Sequence, residues 1–192
     1  MSFGDAAESW HAGRLGLAQT TRARDRSILD ALVLPTLGPM PLRGIDAAIL
    51  REWISAMDAA GKAPSTIAKA VSMVRAVFAR AVDDRVLIRN PAASGLELPT
   101  RSAAPLEVLT AQQVADLVAA PGPLYGVLLD AAAGTGMRWG ELAGLTVSDV
   151  DPLRSELRVR RQLVELAGRL DVSDRLKTAR TYRVVTLPRR LD

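Results

Sequence analysis

One stretch of this sequence, residues 133–151, limits the fold of the chain more than any other. Gly134 and Gly136 tolerate backbone angles that other residues resist, so we expect them to end one helix and to redirect the chain into the next. Arg138 follows this breaker closely. An arginine at such a junction has an anchored stem and a fork that points away from the core, which suits two-point hydrogen bonding to a phosphate. The alternative is an ordinary corner between two helices that carries a surface arginine.

A short helical pattern continues the stretch, with Leu142 and Leu145 on one side and Glu141 three residues after the arginine. The order from Thr135 onwards, Thr-Gly-Met-Arg-x-Gly-Glu-Leu-x-x-Leu-x-x-x-Asp-Val-Asp, closely resembles the first arginine box of the tyrosine recombinases, the phage-integrase family. By this resemblance Arg138 is the first phosphate-clamping arginine, and Glu141 occupies an acidic position that supports the active site without reacting. An ion pair between residues three apart on a helix explains Glu141 equally well.

The positive charge of the chain is clustered, although the formal net charge is only +4. Arginine supplies nearly all of the basic residues, which a high-GC coding bias explains in part. Four arginines near the amino terminus have only Asp25 as an acidic neighbour in their stretch, namely Arg14, Arg22, Arg24 and Arg26. A second basic run, from Arg175 to Arg190, contains no acidic residue. Such clusters in a nearly balanced chain are typical of surfaces that face phosphates.

Helical periodicity dominates the first half of the chain, and a hydrophobic content of 48% is enough for a real core. The predicted helices are residues 3–13, a segment capped by Thr20 or Thr21 that stops at Pro35, residues 46–60, and a segment that opens at Pro64-Ser65-Thr66. The apolar positions that the spacing turns inward are Phe3, Ala7, Trp10, Ile28, Leu29, Leu32, Val33, Ile49, Leu50, Trp53, Ile54, Met57, Ile67, Val71, Val74, Phe78 and Ala81.

The last of these helices carries a basic face opposite its apolar stripe. On a helical wheel this face holds Ser65, Lys69, Ser72, Ala76 and Arg80. Two basic residues among small ones would let the helix lie close against a phosphate backbone. A plain solvated face gives the same pattern.

The pattern changes after the helices. The segment from Arg89-Asn90-Pro91 to Pro105 contains chain breakers and no periodicity, which predicts a linker there. Thr110 caps a further helix, and residues 123–133 form an apolar helix that leads into the arginine box. Alternating residues from Ser155 and the β-branched run at 183–188 then predict two or three strands. An α+β region therefore follows the helices.

The resemblance to the phage-integrase family extends over nearly the whole chain. The arginine-rich capped helix Thr20–Arg26, the helix start Pro64–Thr66 and the closing segment Arg89–Ala92 resemble its core-binding domain. The implied fold is an all-helical core-binding (SAM-like) domain, followed by the first part of a mixed α/β integrase catalytic domain. The implied boundaries are residues 1–99 for the helical domain, 100–108 for the linker and 109–192 for the catalytic part. The predicted DNA-binding residues are Arg22, Arg24, Ser65, Thr66, Lys69 and Arg80.

Recombinases of this family attack a phosphodiester with a tyrosine and leave a 3′-phosphotyrosyl link that a DNA hydroxyl later displaces. The resemblance assigns Lys177 as the hairpin lysine that protonates the leaving 5′-oxygen. A charged loop residue is the alternative for Lys177. Val147 stands where many relatives carry tryptophan, and we interpret it as a tolerated core substitution.

The family also needs a His-x-x-Arg box, a further His or Trp and the nucleophilic tyrosine downstream of the hairpin, and the sequence ends at Asp192 before them. We expect His11, in the first helix, to be a surface or capping residue. Tyr125 belongs to an apolar helix and Tyr182 lies beside the hairpin strand, so neither is placed like the nucleophile. We therefore expect a truncated integrase that is inactive on its own.

The implied partner is double-stranded DNA, with self-association on DNA when the protein is complete, and we expect no metal, no small-molecule cofactor and no membrane. The chain has no cysteine, no apolar run of bilayer length and no signal-peptide pattern, so we expect a cytoplasmic protein. The leading hypothesis is a site-specific DNA recombinase. The alternatives are a non-catalytic, DNA-binding truncated integrase that occupies or competes for the site, and a helix-turn-helix transcription regulator, which leaves the arginine box and Lys177 unexplained.

Overall fold

A computed structural model of the chain describes residues 1–100, 107–166, 168–173 and 182–187. The chain divides into two compact units, Met1–Ala104 and Pro105–Asp192. In the part of the chain that is described, no helix is both long enough and apolar enough to cross a membrane.

The regular elements that the structure describes in the first unit are all helical, and one isolated antiparallel bridge pairs Ser2 with Pro41. Its elements are α1 (Phe3–Ala12), α2 (Gln19–Ile28), a π-helical stretch (Leu29–Val33), α3 (Leu34–Leu37), a 3-10 turn (Leu42–Gly44), α4 (Ala47–Ala59) and α5 (Pro64–Asp83). Asp46 caps α4 by accepting hydrogen bonds from the backbone of Ala48 and Ile49, at 2.8 and 2.9 Å. Pro64 begins α5, where its missing N–H has no intrahelical partner to lose. Both helices begin at the positions predicted from the sequence, near residue 46 and at Pro64.

The core of this unit is built from the apolar stripes that the sequence predicts. Residues from α1, the π-helical stretch, α4 and α5 are fully or almost fully buried, among them Leu29, Leu50 and Val74. Phe3 of α1 packs against Phe78 of α5, with ring centroids 5.3 Å apart. α5 is therefore held on its apolar side, and its opposite side is left for Lys69 and its neighbours.

Three expectations for the first unit are wrong. α2 begins at Gln19 without a side-chain cap, so neither Thr20 nor Thr21 caps it. The helical path does not stop at Pro35, because the N–H of Leu34 bonds five residues back to Leu29, and a new helix then begins in which proline is tolerated. His11 is buried rather than exposed, because it lies one turn after Ala7 on the side of α1 that faces the core.

The second unit combines helices with short antiparallel strands. Its elements are α6 (Ala111–Ala119), α7 (Pro123–Thr135), α8 (Trp139–Ala143), a 3-10 turn (Val147–Asp149), β1 (Val150–Asp151), β2 (Glu156–Val159), β3 (Gln162–Leu166), β4 (Arg169–Ser173) and β5 (Arg183–Thr186). One sheet has the order β1-β2-β5, and β3 pairs with β4 in a second sheet. Thr110 caps α6 through a capping box with Gln113, as predicted. The predicted fold class, helices followed by a mixed unit, is confirmed.

The small core of this unit lies between α8 and the three-stranded sheet. Met137, Leu142, Leu157 and Val159 are buried there. The predicted alternation is confirmed at Leu157 and Val159 of β2. Val147, in contrast, is 92% exposed, so the expectation that it is a core residue is wrong for the unit as described. The 3-10 turn places its side chain on the outer side, whereas Asp149 of the same turn points inward.

Candidate active site and nucleic-acid interface

A left-handed glycine places Arg138 at the surface. Gly136 has φ +64° and ends α7, and its N–H bonds to the carbonyl of Ala132. Arg138 then has an extended backbone at the start of α8, and its side chain is 76% exposed. The expected role of Gly134 as a second breaker is wrong, since α7 continues through it to Thr135. The exposed fork predicted for Arg138 is confirmed.

Glu141 lies beneath Arg138 and is held by two arginines. Its carboxylate is 1% exposed, and its Oε2 accepts from the backbone N–H of Arg138 at 2.9 Å. Its Oε1 accepts from Nη1 of Arg138 at 3.0 Å. Arg183 of β5 donates from Nη1 to Oε1 at 3.2 Å and from Nη2 to Oε2 at 2.9 Å. The carboxylate is therefore clamped from both sides, with both oxygens engaged.

This arrangement keeps Glu141 ionised. The hydrogen bonds from Arg183 lower its pKa most, burial raises it, and the backbone and side chain of Arg138 lower it further, so that the pKa falls from 4.5 to about 2. Arg138 gives one nitrogen to this carboxylate, while a guanidinium carries five N–H donors. The remaining donors on this exposed fork can bind an anion such as a phosphate.

Arg183 is the site residue that sequence reasoning missed. It was only part of a basic run and of a predicted strand. Its contact with Glu141 spans 42 residues of sequence, so helical or strand spacing could not reveal it. A signal was available in the chemistry, since a buried carboxylate is expected to have more than one donor.

Close packing of α8 on β3 fixes the helix that carries these residues. A Cβ at Gly140 would lie 2.7 Å from the carbonyl oxygen of Leu163, and one at Gly144 would lie 3.0 Å from Cα of Gln162. Only glycine permits this approach without a shift of the backbone. Gly140 and Gly144 of the arginine box thus allow α8 to pack closely on β3, a role that the sequence did not reveal.

Asp149, near the end of the arginine box, is a structural carboxylate. It is 1% exposed and accepts from the backbone and the hydroxyl of Thr146, at 3.0 and 2.7 Å. Arg160 and Arg161 approach it at 3.7 and 3.6 Å. Although burial raises the pKa of Asp149, the hydrogen bonds from Thr146 and the two arginines hold it below its ordinary value. This residue ties the 3-10 turn to the segment between β2 and β3.

Lys177, the predicted general acid, lies outside the described residues. In the chain it falls between β4, which ends at Ser173, and β5, which begins at Arg183. Its role stays a prediction from the sequence.

The helical unit gathers basic residues around a fully buried carboxylate, Asp25 of α2. Nη1 of Arg14 donates a hydrogen bond to Oδ2 of Asp25. Nη2 of Arg24 and Nζ of Lys69 each lie 3.7 Å from Oδ1. Nη2 of Arg22 donates to the backbone carbonyl of Arg14 at 2.6 Å. The structure thus brings three of the predicted DNA-binding residues, Arg22, Arg24 and Lys69, into one cluster.

Of the other predicted DNA-binding residues, two lie near the cluster around Asp25 and one lies away from it. Ser65 and Thr66 lie in the first turn of α5, and exposed Ser65 is one turn before Lys69. Arg80 follows Lys69 by three helical turns, roughly 16 Å along the helix, and its Nε donates to Asp84 at 2.8 Å. Arg80 is therefore separate from the cluster, and an ion pair occupies its guanidinium.

The chain matches a known family over its helical unit. Residues 3–95 match the phage integrase central domain. The chain is 32% identical over 164 residues to the putative prophage phiRv2 integrase of Mycobacterium tuberculosis, which covers 85% of this chain and 43% of that protein. It is 31% identical over 168 residues to the tyrosine recombinase XerC of Mycobacterium sp. strain JLS, covering 81% of this chain and 56% of that one. The chain thus spans about half the length of these relatives.

A solved structure shares the fold. It is that of the Tn1549 transposon integrase in complex with a circular intermediate DNA, with a TM-score of 0.86 and 22% sequence identity. The alignment covers 100% of this chain and 62% of that one. At this identity the likeness shows the fold alone.

Proposed function

Because the chain belongs to the phage-integrase family of tyrosine recombinases, we propose that it supplies the DNA-binding part and the first catalytic residues of a site-specific DNA recombinase. The proposed substrate is duplex attachment-site DNA. The complete enzyme cuts and rejoins it through a 3′-phosphotyrosyl intermediate and self-associates on the DNA. The observation that carries this proposal is the exposed guanidinium of Arg138, anchored on buried Glu141.

The reaction explains why such an arginine is needed. Attack on a phosphodiester builds negative charge on the non-bridging oxygens of the phosphate, and donors fixed in advance stabilise that charge without reorganising. Arg138 has its backbone and one guanidinium nitrogen fixed by Glu141 while most of its side chain faces solvent. In the proposed role Arg138 binds the scissile phosphate, and Glu141 orients Arg138 without touching the substrate.

The remaining chemistry is assigned from the sequence. The departing 5′-oxygen needs a proton, and we assign Lys177 as its donor. The printed 192 residues contain one histidine, His11, which is buried in α1, and the tyrosines Tyr125 and Tyr182, for which we propose no catalytic role. We therefore propose that the 192-residue polypeptide by itself binds DNA without cleaving it.

DNA binding is assigned to the helical unit, residues 1–99, with residues 100–108 as the linker and 109–192 as the first part of the catalytic domain. Helices α2 and α5 are the proposed contact surface. The cluster around Asp25 supports this assignment because its side chains carry more positive than negative charge and remain partly exposed. The proposed contacts are Arg22, Arg24, Ser65, Thr66 and Lys69, with Arg80 on a phosphate farther along α5.

A non-catalytic role is the second candidate. The same interface would let the chain occupy an attachment site or compete for it. This candidate needs only the cations around Asp25, whose side chains are partly exposed in the helical unit.

A covalent-adduct assay tests the recombinase proposal. Residues 1–192 are joined to a segment that carries the second box and the tyrosine, and the protein is incubated with a nicked suicide substrate. We expect a protein–DNA adduct that survives detergent, and Arg138→Ala should slow its formation on the order of 10²-fold or more. Arg154→Ala, which removes an exposed arginine from the turn before β2, is the matched control and should form the adduct at the normal rate. Adduct formation at the normal rate by Arg138→Ala would contradict the proposal that Arg138 binds the scissile phosphate.

The same assay tests Lys177. Lys177→Ala should slow cleavage of normal DNA, and a sulfur in place of the bridging 5′-oxygen should restore the rate, because a thiolate leaves without a proton. Equal slowing on both substrates would exclude Lys177 as the general acid. An adduct formed by the unextended 192 residues would contradict the proposal that they only bind DNA.

A further inference from the structure

Asp25 is an unusual residue for a surface that is proposed to bind phosphates. It is a carboxylate, it lies in α2 at the centre of the basic cluster, and it is fully buried. Within the described part of the chain its Oδ1 has no hydrogen-bond partner. Burying a carboxylate costs free energy unless nearby cations compensate it, so the cluster must supply that compensation.

The compensating cations come from three different segments. Arg14 precedes α2, Arg24 belongs to α2, and Lys69 belongs to α5. Their charged groups converge on one carboxylate, yet their side chains remain 27%, 60% and 39% exposed. Arg14 is restrained further, because its guanidinium lies 4.7 Å from the centroid of the Trp10 ring. Three positive charges thus surround one negative charge, and the excess faces solvent.

We propose that Asp25 is a positioning residue for DNA binding: it holds Arg14, Arg24 and Lys69 as one array before DNA arrives. This inference rests on the proposed function. Long basic side chains lose rotamer freedom when they bind a phosphate, and a partner that has already restricted them lowers that cost. Asp25 does not touch DNA in this account. It acts through the three cations, and it adds Arg14 to the predicted set of phosphate contacts.

The proposal makes a prediction opposite in sign to simple electrostatics. Asp25→Asn raises the formal net charge from +4 by one unit, which by charge alone should tighten binding to DNA. If Asp25 positions the cations, the variant should instead bind a 30-base-pair random duplex more weakly, by about tenfold, the scale of one charge-assisted hydrogen bond. The measurement is fluorescence anisotropy of the labelled duplex with the 192-residue chain.

Asp30→Asn is the matched control. It makes the same charge change five residues later, but the carboxylate of Asp30 is exposed and pairs with Arg26 rather than with the cluster. This variant should bind as well as the wild type or slightly more tightly. Equal weakening in both variants would overturn the inference.

A double-mutant cycle separates positioning from a merely structural role. If Asp25 acts through Lys69, Asp25→Asn should have a smaller effect on DNA binding when Lys69 is already alanine. Thermal unfolding of each variant shows whether it is folded at the assay temperature. Equal effects of Asp25→Asn in the two backgrounds would contradict action through Lys69.

A measurement on the unaltered protein covers the case in which Asp25→Asn does not fold. The sequence contains only Lys62, Lys69 and Lys177 as lysines, so their ammonium groups can be followed individually by ¹⁵N NMR. The ammonium group of Lys69 should be more restricted in motion than that of exposed Lys62 in the absence of DNA. Equal mobility would overturn the inference.

The two proposals fail differently. If the wild-type chain binds the duplex with no salt dependence, the proposed DNA-binding function fails. If it binds with a steep salt dependence and Lys69→Ala weakens binding, but folded Asp25→Asn binds as tightly as the wild type, only the role of Asp25 fails.

Discussion

At the scale of single residues, Arg138 and Arg183 share the carboxylate of Glu141 but differ in exposure. The side chain of Arg138 is 76% exposed and that of Arg183 is 30% exposed. Arg183→Ala leaves a buried carboxylate without its two-point partner, so we expect the second unit to lose about 3 kcal/mol of stability. Arg138→Ala removes a largely solvated partner and should cost less than about 1 kcal/mol. Urea unfolding followed by circular dichroism measures the stability of both variants. Equal losses of stability would contradict the view that Arg183 supports Glu141 structurally while Arg138 is mainly available to bind a phosphate.

The ionisation of Glu141 makes a second residue-scale prediction. Folding lowers its pKa from 4.5 to about 2, chiefly through Arg183. A group whose pKa is lowered in the folded state stabilises the fold above its unfolded pKa and loses that contribution as the pH falls through the folded value. The contribution is therefore complete above about pH 4.5 and disappears towards pH 2.

Glu141→Gln removes this contribution. The variant should be less stable at pH 7, and its stability should change less than that of the wild type between pH 4.5 and 2. Thermal unfolding at a series of pH values gives the comparison. Glu165→Gln, at an exposed position of β3, is the control and should follow the wild-type curve. A wild-type pH profile for Glu141→Gln would show that the carboxylate is not held as described.

At the scale of elements, the contact between α8 and β3 should be intolerant of a side chain. Gly140→Ala would put a Cβ 2.7 Å from the carbonyl oxygen of Leu163, so helix and strand must move apart. We expect a loss of about 1–3 kcal/mol, the usual range for overpacking. Gly44→Ala is the control, because its Cβ would meet only a side-chain carbon at 3.8 Å. Urea unfolding that shows equal stability for Gly140→Ala and the wild type would contradict the close approach.

Helices could be predicted from the sequence where a helix-starting residue stands directly before a stripe of apolar residues at helical spacing. α4 and α5 follow from Asp46, Pro64 and the stripes behind them. The π-helical stretch did not follow. Within it the carbonyl of Leu32 accepts from the indole of Trp53 at 2.9 Å, a tertiary contact that helical spacing could not reveal. The break between β2 and β3 was hidden as well, because Arg160 and Arg161 leave the alternation to approach buried Asp149.

The candidate site could likewise be predicted only where it depends on residues that are close together in the sequence. The fork of Arg138 followed from the glycine junction and the box around it, which are local features. Its support did not follow, because Arg183 reaches Glu141 from a strand 42 residues later. The basic residues near Asp25 were visible as a charge cluster, but sequence could not show that the aspartate is buried among them.

At the scale of the whole molecule, the two units carry two different basic sites. The helical unit has several partly exposed cations around one carboxylate, which suits binding along a DNA backbone. The second unit has one exposed arginine on a rigid support, which suits one phosphate. In the proposed function, affinity for DNA comes mainly from the first site and reactivity from the second.

The salt dependence of DNA binding by the 192-residue chain tests this account most directly. The logarithm of the binding constant should fall linearly with the logarithm of the KCl concentration, and each lost phosphate contact should flatten the slope by about 0.9. Arg24→Ala combined with Lys69→Ala should therefore flatten it by about 1.8. Arg43→Ala combined with Arg89→Ala removes the same charge from a separate cavity of the helical unit and should leave the slope nearly unchanged. A slope near zero for the wild type, or equal flattening in both double variants, would contradict the account.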